Sequence, residues 1–431
     1  MSTAKKLNRG MALIELILAF SLWALLLSGM VPLWFSMYGK NTRLFSYIDH
    51  EGVFFRQTVF ASSSYTYVDR NIQMYQNTLA TDWHNSFGKK SCRKINSPHV
   101  HILNSVDAII LEGSSTATSI GVQGDYAYIT ANSGSTTEAD FYVINIANPV
   151  HPVLVSKIDT GPGLVGLALA GYMAYGANTS VNSALQGIDI SDPSHPYVTW
   201  SFKIPNSHGT TTAISRAVVT NGLTIFIGTE KSTLSELYAV DATTHLLEST
   251  AEIGSGINGL YIDHSSVYVA SPANPKLQVF SFNQNKILSP LSSYDPSGAL
   301  GNGKSLDVFN ETVFLGRTVG GNELMTLQAP TSTAASVPSS PMTLEKDAKI
   351  SATIDGMIAS KDVLYILTSS VGKEFQVWSY SPLPSPTLSS IQTVALPKRA
   401  VGLACGDRYI FVALASNQPL LVLVPEDLFT P

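Results

Sequence analysis

Nine histidines, two cysteines and 31 carboxylates are the side chains with which this chain of 431 residues could hold a metal or catalyse. Their spacing assembles no reactive set. There is no G-x-S-x-G elbow, no H-E-x-x-H, no phosphate-binding glycine loop and no calcium loop. His99 and His101 flank Val100, but a metal would need a third ligand that the sequence does not place nearby. His151 and His195 recur at the same turn of two similar segments, which assigns them to turn architecture. Asp241, Asp263, Asp307 and Asp407 stand at strand ends or turns, where a carboxylate accepts local backbone N–H bonds. Cys92 and Cys405 are too few for a zinc ribbon or an iron–sulfur site. No cofactor and no enzymatic activity are expected.

Composition narrows the partners. Charged residues make up 13% of the chain, about half the roughly 25% of an ordinary soluble domain. The net charge of −5 gives no pull toward nucleic acid or anionic lipid. Hydrophobic residues reach 45%, ample for a large core. Mean hydropathy is +0.15, raised by one apolar stretch near the N-terminus.

That stretch organises the first forty residues. Lys5, Lys6 and Arg9 form a basic leader, and residues 16–38 carry no charge. As a helix those residues span about 34 Å, enough to cross one bilayer. The basic flank keeps the leader cytoplasmic and sends the remainder outward. Glu15 is a carboxylate at the start of the apolar run, where ionisable groups are costly and find partners. Pro32, with Gly29 close by, bends a helix by removing a hydrogen bond.

The run Gly10-Met11-Ala12-Leu13-Ile14-Glu15 resembles a type IV prepilin signal. The resemblance covers about residues 5–40. It implies cleavage after Gly10 by a prepilin peptidase and N-methylation of Met11. It also implies a retained helix that first anchors the protein in the inner membrane and then packs against other pilin subunits. Glu15 would act in assembly by pairing with a neighbour's N-terminal amine. These features give a leader over 1–10, a pilin-like helix over 11–50 and a neck over 51–104. Toward the end of that helix, Leu44, Tyr47 and Ile48 keep helical spacing for a few turns. The run GKKSCRK, residues 88–94, reads either as a local patch for an anionic partner or as a solvated loop, and the acidic chain favours the loop.

From residue 105 to 431 short strands alternate with Gly, Asn, Asp and Pro. Second strands begin near Tyr126, Met173, Thr224, Val267, Thr312, Val363 and Tyr409, at steps of 43 to 51 residues. This is the period of a four-stranded propeller blade. The fold expected is therefore mainly β: a long N-terminal transmembrane helix followed by a seven-bladed β-propeller. The last repeat lacks its fourth strand, and Val106–Leu111 is the expected closing strand. Residues 143–158 and 187–204 resemble LVIVD-type repeats of bacterial surface propellers, whose binding partners vary. The Pro/Ser-rich stretches 330–341 and 381–386 read as surface insertions.

Three functional classes remain open. The leading expectation is a minor pilin-like subunit displaying the propeller for adhesion to a surface protein or glycan, at the filament tip or cell surface. The alternatives are a pseudopilin of a type II secretion or DNA-uptake machine, and a membrane-anchored extracellular propeller enzyme. Outward topology would let Cys92 and Cys405 form a disulfide. The competing reading makes Cys405 a buried core thiol.

Overall fold

The computed structural model describes residues 45–49, 52–56, 95–103, 108–132, 135, 137–207, 213–263, 265–296, 301–330 and 341–428. Contacts divide the chain into two units, Met1–Met74 and Tyr75–Pro431. In the first, Phe45–Asp49 pairs antiparallel with Gly52–Arg56, Asp49 standing opposite Gly52. The expectation of a helix continuing to residue 50 is corrected there. Phe45, Tyr47, Ile48, Val53, Phe54 and Phe55 are aromatic or β-branched, types that favour a pleated strand. The rest of the expected helix, with Gly10, Met11, Glu15, Gly29 and Pro32, lies outside the described residues.

The second unit is a ring of seven four-stranded antiparallel sheets. Blade 1 comprises Thr116–Gln123, Tyr126–Asn132, Phe141–Asn145 and Val153–Ile158. Blade 2 comprises Leu164–Ala170, Met173–Asn178, Leu185–Asp189 and Tyr197–Phe202. Blade 3 comprises Ser215–Thr220, Thr224–Thr229, Leu237–Asp241 and Leu247–Ala251. Blade 4 comprises Gly259–Asp263, Ser266–Ala270, Leu277–Phe282 and Leu288–Tyr294. Blade 5 comprises Gly303–Phe309, Thr312–Arg317, Leu324–Gln328 and Leu344–Ala348. Blade 6 comprises Ile354–Ser360, Val363–Thr368, Phe375–Ser381 and Thr387–Val394. Blade 7 comprises Ala400–Cys405, Ile410–Leu414, Leu420–Pro425 and, as its outer strand, Val100–Leu103.

Each sheet packs its two faces against neighbouring blades, so the middle strands have no solvent side. The second strands of blades 3 to 7 are buried at every position. They accordingly read as unbroken apolar runs rather than alternating ones. Outer strands are wetter: Val153–Ile158 contains no buried residue. Aromatic pairs knit blade to blade. Phe226 meets Phe282 edge-on at 5.0 Å and Phe314 meets Tyr380 at 4.7 Å. Such pairs contribute about 0.5–1.5 kcal/mol each beyond their buried area. The first strands of successive blades touch all the way round, and that of blade 7 touches that of blade 1.

The closing strand lies earlier than expected. Val100–Leu103 pairs antiparallel with Leu420–Pro425, Val100 opposite Pro425 and Leu103 opposite Val422. Residues 108–111 are not strand. Ile109 and Leu111 instead plug the apolar seam between blades 7 and 1, and Leu111 N–H donates to Asn417 O at 2.8 Å. Apolar character alone did not separate a pairing strand from a buried crossover.

Candidate functional site

Because all strands in a blade are antiparallel, the ring has two unlike faces. The second-to-third-strand loops and the connections between blades share one face, here called the loop face. The first-to-second-strand turns and the third-to-fourth-strand turns share the other.

A buried side chain braces the loop face from below in most blades. The residue just before the third strand is Asp140, Glu236, Glu323 and Glu374 in blades 1, 3, 5 and 6, each at most 6% exposed. In blade 5, Glu323 Oε1 accepts N–H bonds from Gly320 and Gly321, both 3.2 Å, within its own loop. Its Oε2 accepts from Ile350 (2.8 Å) and Ser351 (2.9 Å) in the connection to blade 6. Glu374 repeats the pattern with Gly372 (2.9 Å) and Leu396 (3.0 Å). Glu236 takes Ile253 N–H (2.9 Å), Gly254 N–H (3.2 Å) and Lys231 Nζ (2.9 Å). Asp140 takes the Thr160 N–H and hydroxyl, both 2.8 Å. In blade 2 the corresponding position is Ala184, and Gln186, inside the third strand, instead donates from Nε2 to Thr160 O at 2.8 Å in the connection entering the blade. In blade 4, Lys276 Nζ donates to Pro272 O at 2.6 Å. Sequence reasoning missed this device. Its signal was present as an acid directly before an apolar strand in ADFY, SELY, NELM and KEFQ.

Burial opposes ionisation at Asp140, Glu323 and Glu374, and the bonds decide the outcome. Burial pushes Asp140 up to about 7, since Thr160 offsets it only in part and Asp159 stands nearby. At Glu323 burial is outweighed by four backbone N–H groups, which hold the carboxyl below its ordinary value. Glu374 is likewise held low against burial by the Leu396 and Gly372 N–H groups.

Charge on the loop face is unevenly paired. Over blades 1 to 3, Lys157 pairs with Glu112, Arg216 with Glu230, and Lys231 with Glu236 and Glu252. At blades 6 and 7, Arg399 grips Asp355 through Nε (2.9 Å) and a terminal nitrogen (2.6 Å). Arg317 lies wholly buried in blade 5 and donates to Asn322 O and Gly301 O, both at 3.0 Å.

The residues singled out from sequence fall mostly into structural roles. His151 N–H bonds Asn148 O and His195 N–H bonds Asp192 O, each at 3.0 Å, in equivalent turns. Asp241 accepts the N–H groups of Thr243 (2.8 Å) and Thr244 (2.7 Å) and pairs with Lys286. Burial opposes ionisation at Asp241 too, but Lys286 and the two N–H groups together hold it well below the carboxylate range. Asp307 accepts Ala359 N–H at 2.6 Å, tying the inner strands of blades 5 and 6. Asp263 ends the first strand of blade 4, and Asp407 lies in the first turn of blade 7. His101 sits opposite Val424 in the closing strand, and His99 O accepts Glu426 N–H. Among the described residues no three His, Cys, Asp or Glu side chains cluster as a metal site. Cys405 is fully buried and disulfide-bonded; Cys92, the one other cysteine of the chain, lies outside the described residues.

Comparison with known proteins supports the architecture. Residues 114–160 and 180–203 match the LVIVD repeat, covering blade 1 and the latter half of blade 2. Comparison with curated proteins gives no match. Among solved structures, a protein from Lactobacillus plantarum is similar at 12% identity and a TM-score of 0.56, over 66% of this chain and 86% of that one. A chain in the mitotic checkpoint complex is similar at 13% identity and 0.53, over 76% and 94%. The WD40 β-propeller domain of Doa1 is similar at 10% identity and 0.51, over 76% and 98%. Identities this low carry the fold alone.

Proposed function

We propose that this LVIVD-repeat β-propeller is the binding head of a type IV pilin-like subunit, displayed at the cell surface or filament tip for adhesion. The observation that carries the reading is the N-terminal sequence: Lys5, Lys6 and Arg9, then Gly10-Met11, then Glu15 at the start of an uncharged run over residues 16–38. The oxidised state of Cys405 supports an extracytoplasmic head, because disulfides persist in oxidising compartments. On this reading the peptidase cuts after Gly10, Met11 is methylated, and the chain resides in the inner membrane before assembly. The ligand is a surface protein or glycan.

Size favours a minor, tip-located subunit. A domain of this length has a radius of gyration of roughly 20 Å and a width of roughly 50 Å. Heads so wide would collide if every subunit of a tightly packed helical filament carried one. Mass spectrometry of the purified N-terminus tests the assignment. A mature chain starting at N-methylated Met11 is expected, with Gly10→Ala leaving uncut precursor and Glu15→Ala being cut but assembling poorly. An intact Met1, or a cut beyond residue 38, overturns it.

A further inference from the structure

We infer that the loop face over blades 5 to 7 docks an acidic polypeptide segment bearing apolar side chains. This names a partner class for the head proposed above, and rests on that reading only for which face stands free.

The loop between the second and third strands carries the same pair in two adjacent blades: Val319-Gly320 in blade 5 and Val371-Gly372 in blade 6. Both valines face solvent, at 60% and 93% exposure. Their loops are held down rather than free. Glu323 and Glu374 clamp the glycine N–H groups from below. Val319 N–H donates to Thr353 Oγ1 at 3.3 Å, and Thr353 exchanges bonds with Ser369, two residues before Val371 (3.1 and 2.9 Å). Two apolar tips are thereby fixed beside each other at little ordering cost on binding.

The exposed charges beside them are lysines without ion pairs. Lys349, Lys373 and Lys398 are exposed on the same loops and connections, and none makes an ion pair among the described residues. Over blades 1 to 3, Lys157, Arg216 and Lys231 are paired with Glu112, Glu230, Glu236 and Glu252, and Lys203 reaches the Asn182 side-chain oxygen. Of the nearby acids, Asp355 is paired with Arg399, Asp347 accepts from the Asn322 amide at 2.6 Å, and the ionised Glu323 and Glu374 are buried and turned onto backbone N–H groups rather than onto the lysines. In a chain of net charge −5, three exposed lysines with no ion pair among the described residues are the groups here that attract an anionic partner. Short, clamped loops do not project as membrane-inserting tips. Fixed valines among lysines suit a chain that presents acidic and apolar side chains together.

The chain reaches the ring on the opposite face, where the closing strand begins at Val100. Residues 95–99 are pinned there: Ser360 Oγ donates to Ile95 O (2.6 Å) and Tyr365 OH to Ser97 O (3.0 Å). Cys405 ends the inner strand of blade 7 on that same opposite face.

The test is a binding titration of the full-length protein in detergent with a fluorescent peptide of alternating Leu and Glu. Saturable binding that weakens with added salt is expected. The triple variant K349E/K373E/K398E should bind about tenfold or more weakly, and Val371→Ser severalfold more weakly. Lys361→Glu, on the opposite face, should bind as wild type. Equal binding by wild type and the triple variant overturns the inference. So does equal binding of a Leu/Ser peptide, or dextran sulfate or phosphatidylglycerol vesicles binding in preference to the peptide. Retained circular dichroism of each variant separates lost binding from lost fold. Failure of the pilin reading would show in the N-terminal mass and leave this titration unchanged.

Discussion

Asp140 and Glu323 occupy the same position in their blades yet ionise oppositely. Both are buried, and burial penalises the charge. Glu323 receives four backbone N–H bonds and stays ionised, whereas Asp140 receives only the two donors of Thr160 and is pushed up to about 7. The folded state therefore holds the Asp140 proton more tightly than the unfolded chain, whose carboxyl titrates near about 4. The stability from this site is full below about pH 4 and is lost as the pH rises through about 7. Asp140→Asn keeps an acceptor for Thr160 N–H and a donor for its hydroxyl without the charge. It should stabilise the propeller by about 1–2 kcal/mol at pH 8 and change little at pH 4. Thermal unfolding across that range checks this, and a variant with an unaltered pH profile would sink it.

The carboxylate clamp works between elements. Each such side chain ties the loop entering the third strand to the connection leaving its blade, so two flexible segments fold as one unit. Removing Glu323 strands four N–H groups in blade 5. Glu323→Ala should cost about 3 kcal/mol and speed amide exchange at Ile350 and Ser351. Glu323→Gln should cost less, because its oxygen still accepts. Exchange at these amides that matches wild type would show that the loops hold their shape without the brace. The clamp was only half legible in sequence. The recurrent acid is visible in ADFY, SELY, NELM and KEFQ, but its donors come from segments up to 28 residues away in blade 5. The inner-strand bulges are less legible still. They occur near the start of the first strand in every blade but blade 4 and add twist there. No residue type at those positions marks them, since Thr118, Val165, Arg216, Lys304, Asp355 and Val401 are chemically unrelated.

At the scale of the molecule, stability depends on closing the ring. Without Val100–Leu103 the last blade would present the unpaired edge of Leu420–Pro425, an invitation to strand addition from another chain. Gln392 adds a lock by bonding both the N–H (2.8 Å) and the O (2.9 Å) of Val100 from blade 6. Deleting residues 95–103 should thus produce aggregation or loss of soluble protein, followed by size-exclusion chromatography. A monomeric, cooperatively folding product would show that the ring closes by another route.

Sequence by itself determined the number and period of the blades. Both sheet faces are buried between neighbours, so each second strand must be an apolar, aromatic-rich run, and such runs can be counted. Five of the expected starts, Tyr126, Met173, Thr224, Thr312 and Val363, coincide with observed strand starts, and the other two differ by one residue. The histidine turns were legible for a similar reason, being local bonds over three residues. Tertiary structure alone decided which segment closes the ring. Val100–Leu103 and Val106–Leu111 are both short and largely apolar, and their strand preferences do not separate them. The choice depends on contacts with residues such as Gln392 and Asn417, about 300 positions away in the chain. The unequal pairing of lysines across the loop face was hidden for the same reason: a charge is spent or left free by partners that only the closed ring brings together.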